Sequence, residues 1–411
     1  MEHLIGNAVV GQSGGPTAAI NATLAGVIRG VREGAAPGIG TLYGMRNGID
    51  GFLADRLIDL SAAVDSEEKL RLLTQTPAAA LGSCRRKLPD PQKDPAVYEA
   101  LLARFRQRDI RYFFYIGGND SMDTVSKLTA YLRGSDWEMR VIGIPKTIDN
   151  DLMGTDHTPG FGSAAKYIAV TMQELLRDCA VYTVPAVTVV EIMGRDAGWL
   201  TASAAAGGYV SGIFPDLIYL PERSFSTEQF LADIRAAQTR HPNVVVAVSE
   251  GIRSADGRYI GEGAQSGAVD AFGHAYLAGA GKVLEQLIKA ALGCKVRSVE
   301  LNLPQRCAAH LASGTDLSES VGVGRAAVAA AGQGTCGEMM SIDRVSDAPY
   351  AVAFGHSEIS GIANQVRRVP DCYINGAGNG MTGAFRDYIL PLIQGEAETV
   401  WECGIPKHLI L

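Results

Sequence analysis

Five short apolar runs stand out along the chain: Ala8–Val10, Tyr112–Ile116, Val141–Ile144, Val187–Ile192 and Val244–Val248. Each is followed at once by Gly, Pro or a polar cluster, the pattern of a strand buried on both faces and ended by a loop. Helical stripes come after several of them. Ile20, Leu24, Val27, Ile28 and Val31 recur at i, i+4, i+7, i+8 and i+11; Met122, Val125, Leu128, Tyr131 and Leu132 form a second stripe; Ile168, Met172, Leu175 and Leu176 form a third. Strand, loop and helix in repetition predict an α/β fold: a mostly parallel sheet with helices on its faces. Ser61–Lys69 and Arg85–Lys93 read as solvated connectors. The run Asn375-Gly-Ala-Gly-Asn-Gly-Met-Thr-Gly lacks a strong preceding strand, so its glycines are expected to mark tight turns.

In open α/β sheets ligands sit beyond the carboxyl ends of the strands. Those ends carry Gly11-Gln12-Ser13-Gly14-Gly15-Pro16-Thr17, Gly117-Gly118-Asn119-Asp120-Ser121, Pro145-Lys146-Thr147-Ile148-Asp149-Asn150-Asp151, Met193-Gly194-Arg195-Asp196 and Ser249-Glu250-Gly251. The two glycine loops precede helical stripes, where backbone N–H groups and the helix terminus favour an anion. Asp123 has the ordinary role of an acid near a helix start. The acids of Thr-Ile-Asp-Asn-Asp need more, because neighbouring carboxylates repel unless a metal, a lysine or a substrate proton compensates. Oxygen ligands beside phosphates suit Mg²⁺, which takes one or two carboxylates and keeps several waters. A cradle, a metal, a base and a charge clamp together describe phosphoryl transfer.

Composition agrees. The chain has 411 residues, 47% hydrophobic and 20% charged, which supports a sizeable core and argues against disorder. Asp and Glu number 44 against 37 Lys and Arg, a net charge of −7, which disfavours a nucleic-acid coat or an anionic-membrane binder but allows a local basic pocket. Glycine is abundant, 48 residues, clustered at the ends of apolar runs. Seven widely spaced cysteines without a C-x-x-C point to a reducing compartment and a cytoplasmic protein. The opening Met-Glu-His-Leu-Ile-Gly predicts no secretory leader, and no apolar run approaches the ~18 residues of a membrane span.

The set Q-S-G-G-P-T, G-G-N-D-S, P-K-T-I-D-N-D, M-G-R, S-E-G and L-P-Q-R, from Gly11 to Arg306, closely resembles the phosphofructokinase family. The resemblance implies two Rossmann-like three-layer domains with the site in the cleft between them. Residues 1–160 with about 306–360 would bind the donor, and about 161–305 with 361–411 the sugar phosphate. It implies transfer of a phosphoryl group to the 1-hydroxyl of fructose 6-phosphate, with Mg²⁺, in a homodimer or homotetramer, and no nucleic-acid or membrane partner. Carried over by position, Asp149 is the base, with Lys146, Thr147 and Arg195 also in the catalytic set. Ile148 and Asp151 join Thr147 at the acceptor; Met193, Gly194, Arg195 and Glu250 hold the sugar; Arg297, Leu303 and Arg306 stand at the 6-phosphate positions. Gly14, Gly15, Arg85, Gly118, Asp120, Ser121 and Lys146 fall on the donor, and Asn119 and Asp120 on the metal.

ATP-dependent members generally show G-G-D-G-S and P-G-T-I-D-N-D. Asp120 and Lys146 replace the two variable glycines here, as in the pyrophosphate-dependent branch. A carboxylate at position 120 intrudes where a nucleotide α-phosphate would pass and repels it. Pyrophosphate is therefore the expected donor, with ATP use, or a non-catalytic sugar-phosphate-binding relative, as the alternatives. Three departures motivate the last of these: Asn119 for the usual Asp, Leu303 for His or Tyr, and Ala186 for an arginine that reaches across a subunit interface in bacterial members.

Overall fold

The computed structural model describes residues 4–262, 279–359, 362 and 365–411. Each of the five predicted runs is a strand, and six further strands complete two sheets. In chain order they are β1 (Gly6–Gln12), β2 (Ile39–Met45), β3 (Leu57–Asp59), β4 (Ile110–Gly117), β5 (Arg140–Pro145), β6 (Ala186–Ile192), β7 (Leu217–Tyr219), β8 (Asn243–Ser249), β9 (Lys295–Glu300), β10 (Glu338–Asp347) and β11 (Tyr350–Glu358). The first sheet runs β11-β10-β5-β4-β1-β2-β3 and the second β7-β8-β6-β9. All pairings in the second sheet are parallel, whereas the first has antiparallel edges, β10 with β11 and β2 with β3.

Central strands are apolar because both faces are covered. Val9, Val10, Phe113, Phe114, Val141 and Ile142 are fully buried, and so are Val189, Val190 and Val246 in the second sheet. Two helices, Ile20–Arg32 and Gly314–Gly332, pack on the first sheet. They approach so closely that a Cβ on Gly26 would lie 2.2 Å from the Val321 carbonyl oxygen, and one on Gly324 2.2 Å from that of Thr23. Any side chain at either position would force the pair apart. The helices Phe161–Cys179 and Gly383–Leu392 contribute to the core on the other sheet, around Trp199. The last residues return to the first sheet, where Leu409 and Leu411 pack against its core.

Ser61–Lys69 is not a plain connector: it is spanned by helices Leu60–Ala63 and Glu67–Gln75, the second capped by the Ser66 hydroxyl, which accepts from the Lys69 N–H. The glycine run near the C-terminus is a turn, with Asn375 N–H donating to the Gly380 carbonyl at 2.9 Å. All seven cysteines are free. Among the described residues no helix is long and apolar enough to cross a membrane.

Candidate active site

The carboxyl ends of β1, β4, β5, β6 and β8 face one cavity of about 430 Å³. Beyond β1 the chain continues in an irregular loop. Gly14, at φ +77°, donates its N–H to the Cys84 carbonyl at 3.1 Å, and its own carbonyl accepts from the Ser83 hydroxyl at 2.7 Å. The buried Gln12 side chain braces the loop from behind, donating to Asn21 Oδ1 at 2.8 Å and accepting from the Leu81 N–H at 3.0 Å. The helix after this loop begins only at Ile20. Gly14 and Gly15 therefore line the cavity without being the helix's first turn, contrary to the sequence expectation. The second loop does open directly onto its helix: Gly118 is the residue before Asn119–Arg133, so that helix points its N-terminus into the cavity.

Lys146 follows β5, its N–H held by the Gly117 carbonyl at 3.0 Å. Its side chain is 3% exposed, and a Cβ on Gly14 would sit 3.2 Å from the ammonium nitrogen. Burial pulls this amine down to about 8; Arg85 and Arg306 push it the same way, against the pull of Asp149 and Asp151. Asp149 turns back on Thr147, whose hydroxyl oxygen accepts the Asp149 N–H at 3.1 Å and lies 3.3 Å from Asp149 Oδ2 as a donor. Burial raises the Asp149 carboxyl above its ordinary value, opposed by Thr147, Lys146 and Arg195. Asp151 is pushed up to about 7, by burial first and then by Asp149.

The opposite wall comes from the second sheet. Met193 and Gly194 follow β6, and their N–H groups donate to Gln305 Oε1 and Glu250 Oε1, each at 3.2 Å. Glu250 is pushed up to about 8 by burial, with Asp149 and Glu191 adding to the shift. Arg195 lines the cavity beside them. Arg306 reaches the cavity from its short helix, and a Cβ on Gly15 would lie 3.6 Å from Arg306 Nη1 and 4.0 Å from Arg85 Nη2.

Gly14, Gly15, Arg85, Gly118, Asn119, Asp120, Ser121, Lys146, Thr147, Ile148, Asp149, Asp151, Met193, Arg195, Glu250 and Arg306 thus share one cleft, with Gly194 in its wall. Two predicted residues do not. Arg297 is exposed in the middle of β9 and lines a small separate hollow with Ala186, Thr188 and Tyr182. Strand register explains this: Thr188 pairs with Arg297, so Arg297 lies mid-strand and not at the strand end. Leu303 is 52% exposed, immediately before the Pro304–Cys307 helix, and does not line the cleft. Asp123 is no cap; it pairs with Lys127 one turn on, at 2.7 Å.

Sequence reasoning missed Lys87, Ala197 and Val366 in the lining, and left Pro16, Thr17 and Asp196 of the strand-end motifs without a role. Lys87 was hidden in the segment read as a connector, although the Arg85-Arg86-Lys87 run was its signal. Its ammonium lies 3.0 Å from Asp120 Oδ1. Asn119 donates its amide to the Gln365 carbonyl at 3.2 Å, while its own Oδ1 is buried without a hydrogen-bond partner. An unpaired acceptor oxygen beside a carboxylate fits an oxygen-seeking cation such as Mg²⁺. Among the described residues no three His, Cys, Asp or Glu side chains converge as a metal cage, so a cation here would depend on oxygens from a bound donor as well.

Comparison with known proteins gives the same picture over the whole length. Residues 7–330 match the family model described as Phosphofructokinase. The chain is 43% identical over 409 residues to the pyrophosphate--fructose 6-phosphate 1-phosphotransferase of Xanthomonas campestris pv. campestris, covering 99% of this chain and 96% of that protein. It is 42% identical over 410 residues to the protein of the same name from Methylococcus capsulatus, with 98% and 96% covered. The solved pyrophosphate-dependent phosphofructokinase of Nitrosospira multiformis superposes with a TM-score of 0.89 at 37% identity, covering 99% of this chain and 96% of that one.

Proposed function

The chain belongs to the phosphofructokinase family, and from that premise we propose that it transfers a phosphoryl group reversibly between pyrophosphate and the 1-hydroxyl of fructose 6-phosphate. The observation that carries the choice of donor is the pair of side chains in the donor half of the cleft. Asp120 projects from the first turn of the Asn119–Arg133 helix, and the buried Lys146 ammonium lies against Gly14. A short polyanion is served by a buried cation; a nucleotide is opposed by the intruding carboxylate.

In the forward direction the sugar 1-hydroxyl gives its proton to Asp149 as its oxygen forms a bond to the near phosphorus. The bond from that phosphorus to the bridging oxygen breaks, and inorganic phosphate leaves. Lys146, Arg85 and the N–H groups at the start of the Asn119–Arg133 helix meet the charge on the leaving phosphate. Met193, Gly194, Arg195 and Glu250 orient the sugar, with Thr147, Ile148 and Asp151 beside the reacting hydroxyl. Mg²⁺, when bound, neutralises pyrophosphate oxygens, and Asn119 Oδ1 with Asp120 would hold it. Residues 1–160 with about 306–360 serve the donor and about 161–305 with 361–411 the sugar phosphate. The enzyme acts in the cytoplasm as a homodimer or homotetramer. The half-exposed Val181, Tyr182 and Val184 near Arg297 support a subunit contact there. The test is a donor screen on the purified chain with fructose 6-phosphate and Mg²⁺: phosphate-releasing turnover is expected with pyrophosphate and only traces with ATP.

Arg306 is assigned to the acceptor's 6-phosphate, although it lies beside Arg85 in the cleft. Charge-assisted bonds from arginine to phosphate contribute about 1.5–3 kcal/mol each, so Arg306→Ala is expected to weaken use of fructose 6-phosphate by ~10–100-fold. A loss confined to the KM of pyrophosphate would place Arg306 on the donor instead.

Lys146 also predicts a pH dependence. With its amine pulled down to about 8, it carries its charge below that pH and loses it above. The kcat/KM for pyrophosphate, which reports the free enzyme, should therefore fall on the alkaline side of about 8. Lys146→Arg substitutes a group charged to beyond pH ~12, so this limb should move upward out of range. An alkaline limb identical in both proteins would acquit Lys146.

A further inference from the structure

Beside the cleft lies a second cavity of about 220 Å³, and four guanidinium groups line it: Arg195, Arg223, Arg253 and Arg368. It opens at the same ends of the second sheet as the cleft, beyond β6, β7 and β8, where ligands of α/β sheets are held. Arg195 and Asp196 line both cavities. Two carboxylates, Asp196 and Glu222, line it with the four arginines. Glu222 spends one oxygen on the Gly198 and Val369 N–H groups, at 2.8 and 2.9 Å, and burial raises its carboxyl, opposing the charged form. Asp196 is taken by Arg253, which also stacks on the Tyr259 ring at 4.2 Å and bonds its hydroxyl. Arg223 pairs with the exposed Asp371 at 3.2 Å, and Arg368 acts on the Glu222 carboxylate, whose second oxygen is buried without a hydrogen-bond partner. Four guanidinium groups against two lining carboxylates leave the hollow net positive in a chain of net charge −7, which favours an anion there.

We propose that this arginine-lined cavity is a phosphate-binding site distinct from the donor end of the cleft and coupled to it through Arg195. Its size and fork-shaped donors suit one phosphate group. That phosphate is either the 6-phosphate of the acceptor, in place of the Arg306 contact assigned above, or one borne by a separate small ligand. The first source rests on the reading of the cleft given above; the pocket's affinity for phosphate does not.

The experiment compares the full chain with the Arg223→Ala/Arg368→Ala double variant, which leaves the cleft residues in place. Calorimetric titration with inorganic phosphate is expected to show two sites per chain in wild type and one in the double variant, the other weakened ~10–100-fold. The Arg223→Lys/Arg368→Lys variant, which keeps both charges, should retain most of the second site. Should the alanine pair not fold, either single alanine variant carries the same test. Steady-state kinetics then separates the sources. A rise of ~10-fold or more in the KM of fructose 6-phosphate, with kcat and the pyrophosphate KM unchanged, assigns the pocket to the acceptor. An unchanged acceptor KM with the phosphate site lost assigns it to a separate ligand. Phosphate binding at both sites in the alanine variant, equal to wild type, overturns the proposal. A protein that binds two phosphates yet turns over no pyrophosphate would overturn the reading of the cleft and leave this site standing.

Discussion

Asp149→Asn is expected to lower kcat by at least ~10²-fold with little change in the KM of fructose 6-phosphate, the loss that follows when a positioned base is removed. Asparagine keeps the shape and one oxygen for the Thr147 hydroxyl, but it takes no proton. An unperturbed aspartate, at about 3.9, is already ionised at neutral pH. Burial raises Asp149, which brings the base nearer the working pH and makes it a better proton acceptor, while Lys146, Arg195 and Thr147 limit the rise. The same substitution removes a charge that its neighbours feel. Asp151 and Glu250, both pushed up partly by Asp149, should titrate lower in the variant, and Lys146 should lose its proton more readily. Kinetics are therefore best compared below pH 7, where a falling Lys146 value does not yet discharge the donor site. A variant with near-normal kcat under those conditions would remove Asp149 from the role of base.

What was legible in the sequence follows a physical division. Central strands of a parallel sheet are buried on both faces, so β1, β4, β5, β6 and β8 announced themselves as continuous apolar runs, and their carboxyl ends carried the chemistry. Edge strands and the solvated hairpin beside them have no such run. β10 and β11 alternate Ser, Asp, Arg and His with apolar residues because much of the hairpin is solvated, and β9, Lys-Val-Arg-Ser-Val-Glu, buries Val296 alone. Missing β9 had a consequence: without its register, Arg297 could be counted to a motif but not to a face. Lys87 was lost for a related reason. Charge in a segment without secondary structure reads as solvated, and only the fold brings Lys87 back against Asp120 at the mouth of the other glycine loop. The arginine pocket joins loops after three strands with a segment near residue 368, a convergence that spacing along the chain does not reveal.

The last expected result concerns the donor. Wild type should use pyrophosphate with little ATP turnover, and Asp120→Gly should let ATP turnover appear. In the structure Asp120 is not a bare charge: Lys87 lies 3.0 Å from it, with their side chains 47% and 25% exposed. An exposed pair of this kind is screened and holds weakly, so Lys87 softens the repulsion of a nucleotide without abolishing it, and the bulk of the carboxylate remains in the path. Removing Asp120 then does two things at once. It opens the space for an α-phosphate and removes the negative charge that repels it, so the gain for ATP should exceed what relief of a clash alone would give. The cost to the fold is small, about 1 kcal/mol for glycine in the first turn of the helix. Pyrophosphate use should persist in this variant, because Lys146 still neutralises the leaving phosphate. Adding Lys146→Gly removes that contact, and by analogy with the loss of one preorganised transition-state donor the kcat/KM for pyrophosphate should fall ~10²–10³-fold. Lys146 is buried against Gly14, so Lys146→Met, which keeps most of the volume without the charge, separates loss of the cation from collapse of the loop. The two positions share one cavity and their effects should not add. The measurement is kcat/KM for both donors in wild type, each single variant and the double. A wild type that already prefers ATP defeats the donor assignment outright. Background ATP activity in a folded Asp120→Gly variant that remains active with pyrophosphate defeats the mechanism, since neither the bulk nor the charge of Asp120 would then have been what excluded the nucleotide.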